Sequence, residues 1–134
     1  MTDDKLIKTA LNALKNSYSP YSQFKVGAAL ICENGKIYTG TNIENASFSA
    51  TLCAERTAIA KAVSEGETKF GAIAIVGGKG GNITDYCLPC GICRQVMVEF
   101  CSEDFKIITF NGKDIKTFTL NSLLPQSFGR NSLC

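Results

Sequence analysis

The stretch "GAIAIVGG", residues 71–78, is apolar throughout and carries glycine at both ends. A strand with one wet face alternates in polarity, whereas a strand buried on both faces does not. The run is therefore expected to be a central strand, and its neighbours in the chain must supply the cover. Upstream, "TLCAERTAIAKAVSEG" reads as a helix from about Leu52 to Glu65, with Thr51 as candidate cap and Gly66 as stop. Downstream, "GICRQVMVEFCS" reads as a second helix, with Ile92, Val96 and Phe100 at i, i+4, i+8 spacing.

Farther out, Leu6, Ile7, Ala10, Leu11 and Leu14 form one stripe on a helix over residues 3–16. "FKVGAALICENGKIYTG" reads as two strands joined by a two-residue turn at Asn34-Gly35, and "FKIITFNGKDIKTFTL" as two more around Asn111-Gly112. The tail "NSLLPQSFGRNSLC" holds at most a short helical turn. The order αββαβαββ predicts an α/β fold, a three-layer α/β/α sandwich around a five-stranded mixed sheet. No linker interrupts it, so residues 1–134 are expected to form a single domain whose last two strands are an antiparallel hairpin. The glycine cluster "VGGKGG" lacks the spacing of a phosphate loop and reads as a strand exit.

Composition narrows the chemistry. A net charge of +2 is too mild for a surface that coats nucleic acid. No apolar run is long enough to span a membrane, and the acidic N-terminus does not read as a signal peptide, so a cytoplasmic location is expected. In that compartment seven cysteines suggest metal ligation or catalysis before disulfides. Histidine is absent, which excludes Ser-His-Asp and Cys-His catalysis. Any metal must rest on thiolates or carboxylates.

In "DYCLPCGICRQV", residues 85–96, Cys87, Cys90 and Cys93 recur at intervals of three. Taken alone, C-x-x-C at a helix start suits a redox dithiol, part of an iron–sulfur run or a structural zinc site. "TLCAER" shifts the balance towards metal. Cys53 opens one core helix while Cys90 and Cys93 open the other, so three thiolates could meet where both helix dipoles favour negative charge. Three protein ligands leave a fourth tetrahedral position, the arrangement of a catalytic zinc. Glu55, two residues on from Cys53, would lie near that position as a proton carrier. Cys87 reads as a non-ligand, because Pro89 fixes the chain entering the C-x-x-C. Cys32, Cys101 and Cys134 read as small buried hydrophobes or solvent-facing thiols.

The same blocks carry a family resemblance. "SPYSQFKVGAAL", "NIENASF", "CAERTAI", "PCGICRQV" and "LLPQSF" stand in the order and spacing of the small zinc-dependent cytidine deaminases, from about Tyr18 to Phe128. The resemblance implies a cytidine deaminase-like fold and one Zn²⁺ per subunit on Cys53, Cys90 and Cys93. It also implies a metal-activated water that attacks C4 of cytosine, while Glu55 shuttles the protons. Arg56 is implied to donate to the thiolates. Phe24, Asn42, Glu44, Ala54 and Phe128 are implied to bind the nucleoside, Asn42 and Glu44 at the ribose 3′-hydroxyl. Phe128 would reach a neighbouring subunit's site within a homotetramer. Phe48 stands where the family pattern has tyrosine. The implied role is pyrimidine salvage, with cytidine and 2′-deoxycytidine as substrates and no nucleic-acid or membrane partner. Rival readings are a deaminase of another cytosine nucleoside such as blasticidin S and, from another class, a structural thiolate-zinc or dithiol redox protein.

Overall fold

The structure, a computed structural model, describes residues 2–133. Helix α1 (Asp3–Leu14) starts where the Thr2 hydroxyl accepts from Lys5 N at 3.3 Å, and Asp3 and Asp4 in its first turn suit the positive end of the dipole. It is followed by β1 (Phe24–Cys32), β2 (Ile37–Thr41), a short 3₁₀ turn (Phe48–Ala50), α2 (Ala54–Ser64) and β3 (Phe70–Lys79). Then come α3 (Gly91–Phe100), β4 (Lys106–Phe110), β5 (Ile115–Thr119) and two helical turns, α4 (Leu120–Leu123) and α5 (Arg130–Leu133).

The five strands form one sheet in the order β2-β1-β3-β4-β5. β3 pairs antiparallel with β1 and parallel with β4, and β4 and β5 form an antiparallel pair. The run at 71–78 thus lies in the central strand. Ala72, Ala74 and Val76 pack under α1 with Leu6, Ile7, Ala10 and Leu14, while Ile73 and Ile75 pack under α2 and α3 with Ala58, Ile59 and Met97. This two-sided burial removes the alternation from the sequence, and the expected sandwich is observed.

Local expectations needed adjustment in four places. The first hairpin loop contains three residues instead of two: Cys32 N donates to Lys36 O, Gly35 N donates to Cys32 O, and Gly35 has φ +91°. The second hairpin keeps a two-residue loop, with Gly112 at φ +96° between Asn111 and Asp114. Helix α2 begins two residues later than expected from Leu52, with Cys53 in place of Thr51 as its N-cap. On α3 the fully buried residues are Cys93 and Met97, whereas Ile92 is exposed, because the helix turns Cys93 inward. The tail forms two helical turns where at most one was expected.

Candidate active site

The site lies where α2 and α3 begin. Cys53 and Cys90 are the N-caps of these helices, both extended in backbone and neither using its sulfur to cap an amide. Cys93 occupies N3 of α3, three residues past its cap, the spacing that brings cap and N3 side chains together. The three sulfurs lie within 4.8 Å of one another, at 3.7 Å for Cys53–Cys90 and 3.6 Å for Cys90–Cys93. Thiolates on one tetrahedral zinc with Zn–S of about 2.3 Å stand about 3.8 Å apart. The donor set and its spacing therefore fit zinc.

Charge agrees with that fit. Cys53 is held down to about 5, chiefly by the hydrogen bond from the Cys93 thiol and, against burial, by the Arg56 guanidinium. Cys93 is pushed the other way, first by that same bond and then by burial. Cys53 and Cys93 thus oppose each other, and a bound dication would favour the thiolate on both. Arg56 Nη2 donates to Thr51 O at 3.1 Å and to Cys53 Sγ at 3.7 Å. Its Nε is buried without a partner, an N–H still available beside an anionic cluster.

Glu55, at N2 of α2, is 4% exposed, and burial pushes its carboxyl up to about 7. A carboxyl poised there can accept and return a proton near neutral pH. Ala54 is fully buried at the first position of the same helix. Cys87 lies outside the sulfur cluster: a Cβ on Gly77 would stand 2.8 Å from its sulfur and 3.0 Å from the Phe24 ring. Burial pushes the Cys87 thiol up to about 12, so it stays neutral. Of the other cysteines, Cys32 is buried and Cys101 partly buried, and Cys134 lies outside the described residues.

A second group forms where β2 ends. Asn42 Nδ2 donates to Phe24 O at 2.7 Å, and Asn42 Oδ1 accepts from Val26 N at 3.0 Å and from the Ser17 hydroxyl. Glu44 Oε1 accepts from Tyr21 N at 3.0 Å and Ser22 N at 3.1 Å, and Oε2 accepts from the Ser22 hydroxyl. These bonds, the Ser22 hydroxyl first, hold the Glu44 carboxyl below the usual carboxylate range. Tyr21, Ser22, Glu44, Phe48 and Thr51 line an open cavity of about 400 Å³. Phe24 is partly exposed at the start of β1.

Phe128 lies in the tail between α4 and α5. It is 60% exposed, and its carbonyl accepts from Gln95 Nε2 on α3 at 2.7 Å. The structure thus brings Cys53, Cys90, Cys93, Glu55 and Arg56 together, and separately Phe24, Asn42 and Glu44. Ser17, Ser22 and Thr51 were missed by residue-level reading of the sequence. Of these only Ser22 falls in "SPYSQF", where the structure places Gln23 at φ +60°.

A sulfur triad with a buried carboxyl beside it defines a zinc-dependent hydrolytic site. A family model, the cytidine and deoxycytidylate deaminase zinc-binding region, matches residues 1–109. Over 134 residues the chain is 46% identical to a cytidine deaminase of Sporosarcina psychrophila, covering 99% of this chain and 96% of that one. It is 32% identical to a blasticidin-S deaminase of Bacillus cereus, covering 96% and 94%. The crystal structure of cytidine deaminase from Burkholderia pseudomallei superposes with a TM-score of 0.88 at 41% identity, covering 96% of this chain and all of that one. The chain belongs to the zinc-dependent cytidine and deoxycytidylate deaminase family.

Proposed function

We propose that the chain hydrolyses cytidine and 2′-deoxycytidine to uridine and 2′-deoxyuridine with release of ammonia, in one catalytic domain spanning residues 1–134. The observation that carries this reading is Glu55, a buried carboxyl raised to about 7 beside three grouped sulfurs. Cys53, Cys90 and Cys93 would hold the zinc, which when bound would supply a water activated for attack near neutral pH. Glu55 takes one proton from the attacking water and places it on cytosine N3, then takes the second from the resulting C4 hydroxyl and delivers it to the leaving amine. A single carboxylate suffices because each acceptance is followed by a donation, which returns it to its starting charge. Arg56 draws negative charge from the Cys53 sulfur, which keeps the triad able to hold a Lewis-acidic metal.

Asn42 and Glu44 take the ribose 3′-hydroxyl, Phe24 packs along the nucleoside, and Ala54 meets the base through its backbone. The exposure of Phe128 supports a role in a neighbouring subunit's site and hence a homotetramer. Cytoplasmic pyrimidine salvage agrees with described cysteines that are all free. No helix among the described residues is long and apolar enough to cross a membrane. The relative at 32% identity motivates blasticidin S as a second substrate to assay.

The test is ultraviolet loss of cytidine coupled to ammonia release, with zinc measured on the same sample. Full zinc occupancy without ammonia would overturn the enzymatic reading. Activity of Glu55→Gln near the wild-type rate would overturn the proton-carrier role.

A further inference from the structure

Asn42 and Glu44 are already heavily engaged with their own chain. An amide side chain offers two acceptor lone pairs and two N–H donors, and an ionised carboxylate about four lone pairs. Asn42 Oδ1 accepts from Val26 N and the Ser17 hydroxyl, and one Nδ2 hydrogen goes to Phe24 O. The backbone partners fix which end of the amide is oxygen, since a carbonyl accepts and an N–H donates. What remains on Asn42 is one N–H. On Glu44, Oε1 has both backbone amides and Oε2 has the Ser22 hydroxyl, leaving one lone pair.

One remaining donor and one remaining acceptor are the complement of a single hydroxyl, which gives one hydrogen and accepts another. Without Ser17, Oδ1 would keep a lone pair open. Without Ser22, Oε2 would have a second open lone pair and the carboxylate would be free to rotate about its hold on Oε1. Ser22 Oγ also accepts from Phe24 N at 3.0 Å, tying the carboxylate to the aromatic at the start of β1. Ser17 Oγ lies 3.2 Å from Ser19 Oγ, and Tyr18 pairs with Asn42 and Glu44 through Tyr18 N to Asn42 O at 3.1 Å and Glu44 N to Tyr18 O at 2.9 Å. The two serines are therefore held in place by backbone pairing and do not depend on a ligand for their orientation.

We infer that Ser17 and Ser22 are positioning residues that reduce Asn42 and Glu44 to one donor and one acceptor, and so tune the site to a sugar hydroxyl. The inference rests on the reading that Asn42 and Glu44 take the 3′-hydroxyl. A phosphate at that position would bring anionic oxygens against Glu44, so the ligand class is a free nucleoside.

The experiment compares 2′-deoxycytidine with 2′,3′-dideoxycytidine, which differ only in the 3′-hydroxyl, using the zinc-loaded enzyme. Wild type is expected to prefer the hydroxylated substrate by at least about tenfold in kcat/KM. Ser17→Ala and Ser22→Ala are each expected to cut that preference about fivefold, through KM, with Ser17→Thr and Ser22→Thr restoring it. General damage to the fold lowers both substrates together and leaves the ratio unchanged. Alanine variants that keep the wild-type preference, or lose activity equally on both substrates, overturn the role of the serines while leaving Asn42 and Glu44 in place. A wild type indifferent to the 3′-hydroxyl overturns the Asn42–Glu44 reading and the serine roles with it.

Discussion

Two glycines on opposite faces of the same sheet edge allow the metal site to be perturbed through the scaffold alone. A Cβ on Gly40 of β2 would stand 2.3 Å from Ala54 O and 2.5 Å from Ala58 N, both backbone atoms of α2. A Cβ on Gly27 of β1 would stand 2.2 Å from Ala10 O and 2.7 Å from Leu14 N, backbone atoms of α1. Neither contact can be relieved by a side-chain rotation, so the helix must retreat by about 1 Å to reach van der Waals distance. Each substitution to alanine should cost about 1–3 kcal/mol, or roughly 4–11 °C in Tm for a chain of this size. The consequences for zinc should differ. Helix α2 begins at Cys53 and carries Glu55, whereas Cys90 and Cys93 belong to α3. Moving α2 alone by about 1 Å separates the ligands by several times the roughly 0.2 Å that Zn–S bonds tolerate. Helix α1 contributes no ligand to the cluster. Competition against a chromophoric chelator should give zinc affinity at least about tenfold weaker for Gly40→Ala, and within about twofold of wild type for Gly27→Ala. Equal zinc affinities in the two variants would refute the reasoning, as would an unaltered affinity in Gly40→Ala.

The remaining predictions concern charge and assembly. In the metal-free protein, folded Glu55 holds its proton to about pH 7 while the unfolded chain releases it near 4.5, so stability falls as pH rises through that window. Glu55→Gln cannot ionise, and its stability relative to wild type should grow by about 3 kcal/mol between pH 4 and pH 8 in urea titrations; a flat difference would contradict the buried-carboxyl account. Arg56→Met removes the donor to Cys53 and should weaken zinc about 10- to 100-fold in the same chelator assay, and an unchanged affinity would show that the guanidinium serves packing only. If Phe128 acts in a neighbouring subunit, mixed oligomers of Phe128→Ala and Glu55→Gln chains should exceed the weighted mean of the two pure samples in cytidine turnover; activity equal to that mean would place each site within one subunit.

The sandwich was legible because each layer writes its period into the chain. The uninterrupted 71–78 run marks a strand covered twice, and Asn111-Gly112 fixes the last hairpin. The sulfur triad was legible for a different reason: cysteines at the starts of two helices share dipoles, and the fold brings those starts together. What stayed hidden depends on contacts between distant segments. No local pattern announces that Cys53 takes the cap position from Thr51, because Thr51 is an ordinary N-cap residue and Cys53 is not. Ile92 fits an apolar stripe as well as Cys93 does, and only the second helix's need to face Cys53 decides which is buried.

Asn42 and Glu44 show why a family resemblance can single out residues and still miss their other contacts. Their i, i+2 spacing is that of residues on one side of an extended chain leaving β2, and the family resemblance implies a shared task for them. It does not show that the same side chains hold Ser17, Tyr21, Ser22, Phe24 and Val26. Truncating either residue therefore removes brackets on the start of β1 as well as contacts to a ligand. A loss of activity in Asn42→Ala or Glu44→Ala would by itself be ambiguous. Substrates that differ by one hydroxyl separate the two tasks, because a bracket acts on every substrate alike and a ligand contact acts only on the group it touches.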